Sequence, residues 1–243
     1  MALPKLNTPT FKLTLPSTGK AIEFRPFLVK EEKVLMMSSE SNDPADMVQG
    51  LKQIVENCTF GKVKPDEHPL FDLEYIFLNL RAKSVGEIAE PMFKPDGCDK
   101  MVQLKVDLSE VEVVTAEGHT KKIELTDTVG LIMKYPSIAQ AENQTTLENL
   151  EDPDVAMGVI SDCIDKIYDG DSVYKAEEHG QDELKDFIES LTQSQFLKIT
   201  NFFESMPKIR YTTKYTCPCS GEEKEITLSG LQDFFGLPSA TTT

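Results

Sequence analysis

The stretch from Ile209 to Phe235 constrains this chain more than any other. It reads as a strand, a tight turn marked by Cys217, Pro218, Cys219 and Gly221, a returning strand, and a short capped helix. Two cysteines at a hairpin tip are half of a zinc ribbon, because a tetrahedral site needs a second pair of ligands facing them. Cys98 stands at a comparable turn, Pro95-Asp96-Gly97, and His119 is the histidine nearest to it in sequence. Three thiolates and an imidazole therefore assemble on paper. Against this, Cys217 and Cys219 are separated by one residue, whereas ribbon turns use Cys-x2-Cys to aim two sulfurs at one point. The alternative, favoured by ligand count and spacing, is a ribbon-like hairpin that folds without metal, zinc being an optional staple.

The charge balance narrows the function classes. Asp and Glu number 41 against 25 Lys and Arg, a net charge of −16, and this sign disfavours nucleic acid and anionic membranes as direct partners. The acidity is concentrated: residues 141 to 190 hold 15 acidic and 3 basic side chains. A solvated helical face is the plain reading, and a docking surface for a basic partner the sharper one. At 243 residues and 40% hydrophobic content the chain has material for one large core or two small ones. No run of 18 apolar residues and no signal-peptide pattern is present, so the chain is expected to be made and kept in a cytoplasm. Its five cysteines, Cys58, Cys98, Cys163, Cys217 and Cys219, are too scattered for a disulfide framework and are expected as reduced thiols.

Periodicity orders the remaining elements. Phe11, Leu13 and Leu15 alternate with polar residues before the turn at Pro16 to Gly19, and Ile22 and Phe24 alternate after it, which predicts a hairpin. Helices are predicted from Leu28 to Ser39, from Asp43-Pro44 along the stripe Met47, Leu51, Ile54, Val55 and Cys58, and from Leu70 to Leu80. Lys83 to Glu90 is read as extended. Val102 to Leu108 forms a second hairpin with the turn at Pro95 to Gly97, continued by Val111 to Val114 and by a strand around Ile123 and Leu125. Thr126-Asp127 is read as the cap of a short helix through Met133, and Ala139 to Glu151 as a polar connection. A helix from Asp152-Pro153 carries Val155, Val159, Ile160, Cys163, Ile164 and Ile167 to a stop at Asp169-Gly170. Helices follow over Asp182 to Leu191, from the capping box Thr192 and Gln195 to Ser205, and after a second box at Ser229 and Gln232. Helix, basic step and cysteine-tipped hairpin recur after Leu73 and again after Phe196, which suggests a diverged duplication.

Catalytic patterns are missing: no phosphate-binding glycine loop, no Gly-x-Ser-x-Gly, no His-Glu-x-x-His. A calcium loop from Asp165 fails because Ile167 and Ala176 stand where oxygen ligands are required. His68, His119 and His179 are dispersed, and Cys58 and Cys163 lie on helical stripes as small core residues. Arg25, Arg81 and Arg210 sit at element junctions and read as partners of helix ends or local carboxylates. Phe234 and Phe235, near the end of the terminal helix, are expected either to fold back as a clasp or to bind a partner subunit.

Four ordered segments carry a family resemblance. Leu15-Pro-Ser-Thr-Gly-Lys-Ala-Ile-Glu-Phe-Arg-Pro-Phe-Leu-Val-Lys-Glu-Glu-Lys-Val-Leu, Leu80-Arg-Ala-Lys-Ser-Val-Gly-Glu, Met133-Lys-Tyr-Pro-Ser and Leu228-Ser-Gly-Leu-Gln-Asp-Phe-Phe resemble the baseplate family of T-even-type bacteriophages, over residues 10 to 236. The resemblance implies a subunit or assembly factor of the central hub of a contractile tail's baseplate. It also implies partners among the tail and hub proteins, an oligomeric setting in the virion and no catalytic residues. It further implies a Cys-x2-Cys pair in the last hairpin, from which Cys217-Pro218-Cys219 departs by one residue. The expected fold is α+β: a lobe over 1–138 and a lobe over 139–243, each a helix plus a β-hairpin, the second zinc-ribbon-like, joined by the acidic helical segment. The expected role is non-enzymatic and structural. An assembly chaperone absent from the mature virion, and a zinc-ribbon nucleic-acid or regulatory module, are the two rivals. The candidate site residues are Cys217, Cys219 and Cys98 for metal, and Phe234 and Phe235 for a partner.

Overall fold

Alternation at the start of the chain produces the hairpin it predicts. In the computed structural model, which describes residues 6–40, 44–138 and 153–235, β1 (Phe11–Thr14) pairs antiparallel with β2 (Ala21–Phe24). The turn between them is pinned from below. Asp72, fully buried, accepts the backbone N–H of Ser17 at 3.0 Å and the Ser17 hydroxyl as well. After β2, Glu31 organises the first turn of α1 (Val29–Glu40): its carboxylate takes the Leu28 N–H at 2.9 Å and the Arg25 guanidinium at 2.9 Å. Arg25 also donates to Pro26 O, so this arginine serves a local carboxylate and a chain turn, as its junction position suggests. α2 (Pro44–Cys58) buries Leu51, Ile54, Val55 and Cys58 on the predicted stripe. Its expected cap, Asp43, lies outside the described residues. α3 (Leu70–Ser84) is buried on more than one side through Leu73, Ile76, Leu78 and Leu80.

The second hairpin is less regular than its alternation implies. β3 (Ile88–Ala89) pairs with β6 (Val106–Asp107), and β4 (Met92–Phe93) with β5 (Val102–Gln103), with Leu104 N bonded to Pro91 O at 2.9 Å across the break. Lys83 to Glu90 is only partly extended, because α3 continues to Ser84. β7 (Glu112–Val114) then joins a different sheet from the strand that follows it. That next strand, β8 (Lys122–Glu124), pairs with β9 (Val129–Met133).

β9 replaces the helix expected from Asp127 to Met133. The run Val-Gly-Leu-Ile-Met is apolar without clear period, and pairing with β8 and β10 selects the strand, in which Gly130 permits a close approach: a Cβ there would run into the Tyr168 ring and the Ile123 carbonyl. The helix from residue 153 is also shorter than its stripe. α4 (Pro153–Asp162) stops before Cys163, and β10 (Ile164–Asp169) turns at Gly170, φ +57°, into β11 (Ser172–Lys175). Ile164 and Ile167 fit a helical stripe and a half-buried strand alike, and pairing with β9 selects the strand. The four strands run in the order β11-β10-β9-β8. α5 (Gln181–Glu189) and α6 (Gln193–Ser205) complete this part, with the Thr192/Gln195 capping box formed in both directions. β12 (Lys208–Thr216), β13 (Glu223–Ser229) and α7 (Gly230–Phe235) end the described chain.

The chain divides into two compact units, Met1–Val114 with Lys208–Thr243, and Thr115–Pro207. The expected lobes, 1–138 and 139–243, divide it elsewhere. The reason is strand pairing: β12 lies between β13 and β7 with Lys208 opposite Val114, so the residues where the chain leaves and rejoins the first unit are ladder partners. The second unit is thus an insertion between two paired strands. The α+β class holds. The two cysteine hairpins, however, belong to one unit rather than to two lobes. The polar connection from Ala139 to Glu151 lies outside the described residues. Each unit has its own core. Leu78, Val106, Leu108, Ile209, Leu228 and Phe234 pack in the first, and Leu131, Met133, Cys163, Ile164, Ile188, Ile199 and Phe202 in the second.

Candidate functional site

β12 and β13 form a regular ladder from Arg210/Ser229 to Thr216/Glu223. Beyond it the chain reverses through Cys217 N to Glu222 O and Gly221 N to Cys217 O, both 2.8 Å, with Gly221 at φ +73°. The first tip turns through Cys98 N to Pro95 O at 3.1 Å, with Gly97 at φ +69°. The two tips meet. Cys98 and Cys219 form a disulfide across 121 residues of sequence, with Cα atoms 5.8 Å apart. In the same two hairpins, the rings of Phe93 and Tyr215 pack edge to face at 4.8 Å. Expecting every cysteine as a reduced thiol is therefore incorrect. Local spacing cannot reveal that two hairpins distant in sequence lie on one helix and share a core.

Cys217 stays out of the bond and is buried. The backbone N–H groups of Ser220 and Cys219 and the Ser220 hydroxyl surround its sulfur and hold its thiol below the usual thiol range. With the other two sulfurs bonded to one another, the set Cys98, Cys217 and Cys219 does not fit a metal in this form. Among the described residues no group of three or more His, Cys, Asp and Glu side chains is arranged to hold one. His119, the imidazole counted on paper, lies in the inserted unit with its nitrogens engaged by Ser205 Oγ at 2.9 Å and Tyr135 Oη at 3.0 Å.

The terminal helix is set by the same hairpin. Gly230, at φ +76°, turns the chain out of β13, and the Ser229 N–H donates to Asp233 Oδ2 at 2.7 Å. The Leu231 N–H points at Glu74 Oε1 on α3, 3.4 Å away. Glu74 is half-buried as a residue, but its carboxyl is enclosed, and desolvation pushes its pKa up to about 7 in spite of that bond. Phe234 is 1% exposed and packs in the first unit's core. Within the chain its ring is therefore a core contact of the first unit. The side chain of Phe235 lies outside the described residues.

Residues 8–236 match the family model described as T4 bacteriophage base plate protein. The chain belongs to that family. No curated protein and no solved structure matches it. In this base plate protein the other residues singled out in the sequence are buried or have local partners. Cys58 and Cys163 are fully buried, and burial pushes their thiols up to about 11 and about 12. Arg81 donates to Gly86 O at 3.1 Å just past the end of α3. His68 lies 3.4 Å from the Asp72 carboxylate that already holds Ser17, an order of partners that leaves the serine facing the acid and not the imidazole. His179 pairs with Glu183 at 3.0 Å. Among the described residues no helix of the base plate chain is long and apolar enough to cross a membrane.

One feature has a sequence signal with two meanings, and another has none. Asp169-Gly170 reads as a helix stop or as a hairpin turn, and only the hairpin reading exposes β11. Glu74 carries no local signal at all, since its contact on α7 is 157 residues away. The charge count also follows the units. Residues 115–207 hold 19 Asp and Glu against 7 Lys, so the acidity belongs to the inserted unit.

Proposed function

We propose that this base plate protein is a non-enzymatic subunit of the central hub of the contractile-tail baseplate, acting through contacts with other hub and tail proteins and remaining in the mature virion. The observation that carries the reading is the family match over residues 8 to 236, nearly the whole chain. Two features of the fold support a role in assembly contacts. A disulfide and a shared core join both hairpin tips of the first unit, and a strongly acidic unit is inserted between two of its paired strands. Mass spectrometry of purified tails tests the proposal. The chain is expected at a fixed ratio to the other hub proteins, and its absence from mature particles rejects the structural-subunit form.

The acidity of residues 115–207 favours a second reading, an assembly chaperone that shields a basic surface of a hub protein and then departs. Co-expression pull-downs at low and high salt separate the two. A chaperone contact weakens steeply with salt and involves a protein that mature tails contain without this chain.

A further inference from the structure

The inserted unit ends its four-stranded sheet in two unlike edges. At β8 the edge is covered: Lys198 Nζ donates to Glu124 O at 2.6 Å, and Lys122 pairs with the Glu124 carboxylate at 3.0 Å, while just past the strand Gln195 Nε2 reaches Leu125 O at 3.4 Å. Side chains thus occupy carbonyls that another strand would otherwise use. At β11 nothing comparable is found among the described residues. All four of its residues are exposed, and the apolar ones are Val173 at 60% and Tyr174 at 46%. The β10/β11 ladder is regular, without the bulge that twists a natural edge away. Lys175, the residue type that usually guards an edge, is directed at Glu177 and Glu178, 3.7 and 3.5 Å away.

Register shows which backbone groups are offered. Asp169 stands opposite Ser172 across the two-residue turn, Tyr168 opposite Val173, Ile167 opposite Tyr174 and Lys166 opposite Lys175. The pair that closes such a turn exchanges both hydrogen bonds, and bonding alternates from there. The N–H and C=O of Val173 and the N–H of Lys175 therefore point to the open side, while the Lys175 carbonyl caps the 3-10 turn over Ala176–Glu178. Asp169, Asp171, Glu177 and Glu178 flank this strand, in a unit with 19 acidic and 7 basic residues. A second copy of the edge would bring like charges together. An extended segment bearing Lys or Arg meets opposite charge.

We propose that β11 is a docking edge to which an extended basic segment of a partner protein adds as a fifth strand, its backbone bonded to the N–H and C=O of Val173 and the N–H of Lys175 and its cations facing the flanking carboxylates. Main-chain bonds supply affinity in this mode, and the charge supplies selection. The inference deepens the proposed function, resting on its premise that the chain acts by protein contacts.

The test uses the full-length protein and a labelled peptide of alternating Lys and Val, with an alternating Glu-Val peptide as control. Binding of the Lys-Val peptide is expected to slow amide exchange at Val173 and Lys175 about tenfold or more. Val173→Pro removes an outward N–H while keeping the β10 pairing, and is expected to weaken the peptide about tenfold. Val173→Lys, which sets a like charge before the peptide and keeps every backbone N–H, also weakens it, and decides the matter if the proline variant does not fold. Failure of the Lys-Val peptide to bind, equal binding by the Glu-Val peptide, unchanged affinity in Val173→Lys, or protection confined to other strands overturns the proposal. A tail protein that binds wild type and both variants alike leaves the hub reading standing and removes the docking edge. Peptide docking at β11 in a chain absent from tails does the reverse.

Discussion

Single residues hold this protein together across long separations, and Cys98 and Cys219 are the clearest case. Their bond closes a loop of more than a hundred residues in the unfolded chain, so opening it releases conformational entropy to the denatured state. Cys98→Ser, or reduction, is expected to cost about 2–4 kcal/mol of stability, read as a lower midpoint in thermal unfolding. An unchanged midpoint on reduction would mean that the tips are held by the core and the Phe93/Tyr215 contact alone. Gly130 acts by absence. Tyr168 and the Ile123 carbonyl occupy the space that a side chain would need, so Gly130→Ala is expected to destabilise by about 2–3 kcal/mol, measured by urea unfolding. Cys98 and Gly130 are both visible in the sequence. Their meaning is not, because it depends on which distant atoms arrive beside them.

Among the elements, those held by local chemistry were legible in advance and those held by distant partners were not. α6 begins at a capping box four residues long, readable directly from Thr192 and Gln195. Thr192→Ala is expected to cost about 1 kcal/mol, seen as a matching fall in unfolding free energy. β9 and β10 fit a helix as well as a strand by sequence, β9 as an apolar run without clear period and β10 through Ile164 and Ile167 at three-residue spacing, and their pairing with one another selects the strands. α7 depends on Glu74. Its carboxyl titrates near 4.5 when unfolded and near 7 when folded, so the folded state holds the proton more tightly. Stability from this group is full below about pH 4.5, declines as pH rises and is lost by about pH 7. Glu74→Gln is expected to flatten the pH dependence of unfolding in that window. A slope that persists in the variant would assign it to another group.

The whole molecule is two cores on one chain, with the second inserted between β7 and β12. Calorimetry is expected to resolve two transitions, and reduction to lower only that of the unit containing Cys98 and Cys219, because the inserted unit has no disulfide among its described residues. A single transition that shifts as one would show the cores to be thermodynamically coupled. The sequence by itself determined the α+β class, three of the hairpins, most helix starts and the concentration of acid in one region, since all of these follow from contacts within a few residues or from composition. It also held the four ordered segments that resemble the base plate family. Tertiary structure alone decided that the cysteine hairpins share one unit, that two cysteines bond while the third remains a thiol, and that Phe234 lies in the core. It also decided that β11 is the edge strand of its sheet among the described residues. Each of these depends on which surfaces meet after the chain has closed over a hundred residues, and neither periodicity nor spacing encodes that meeting.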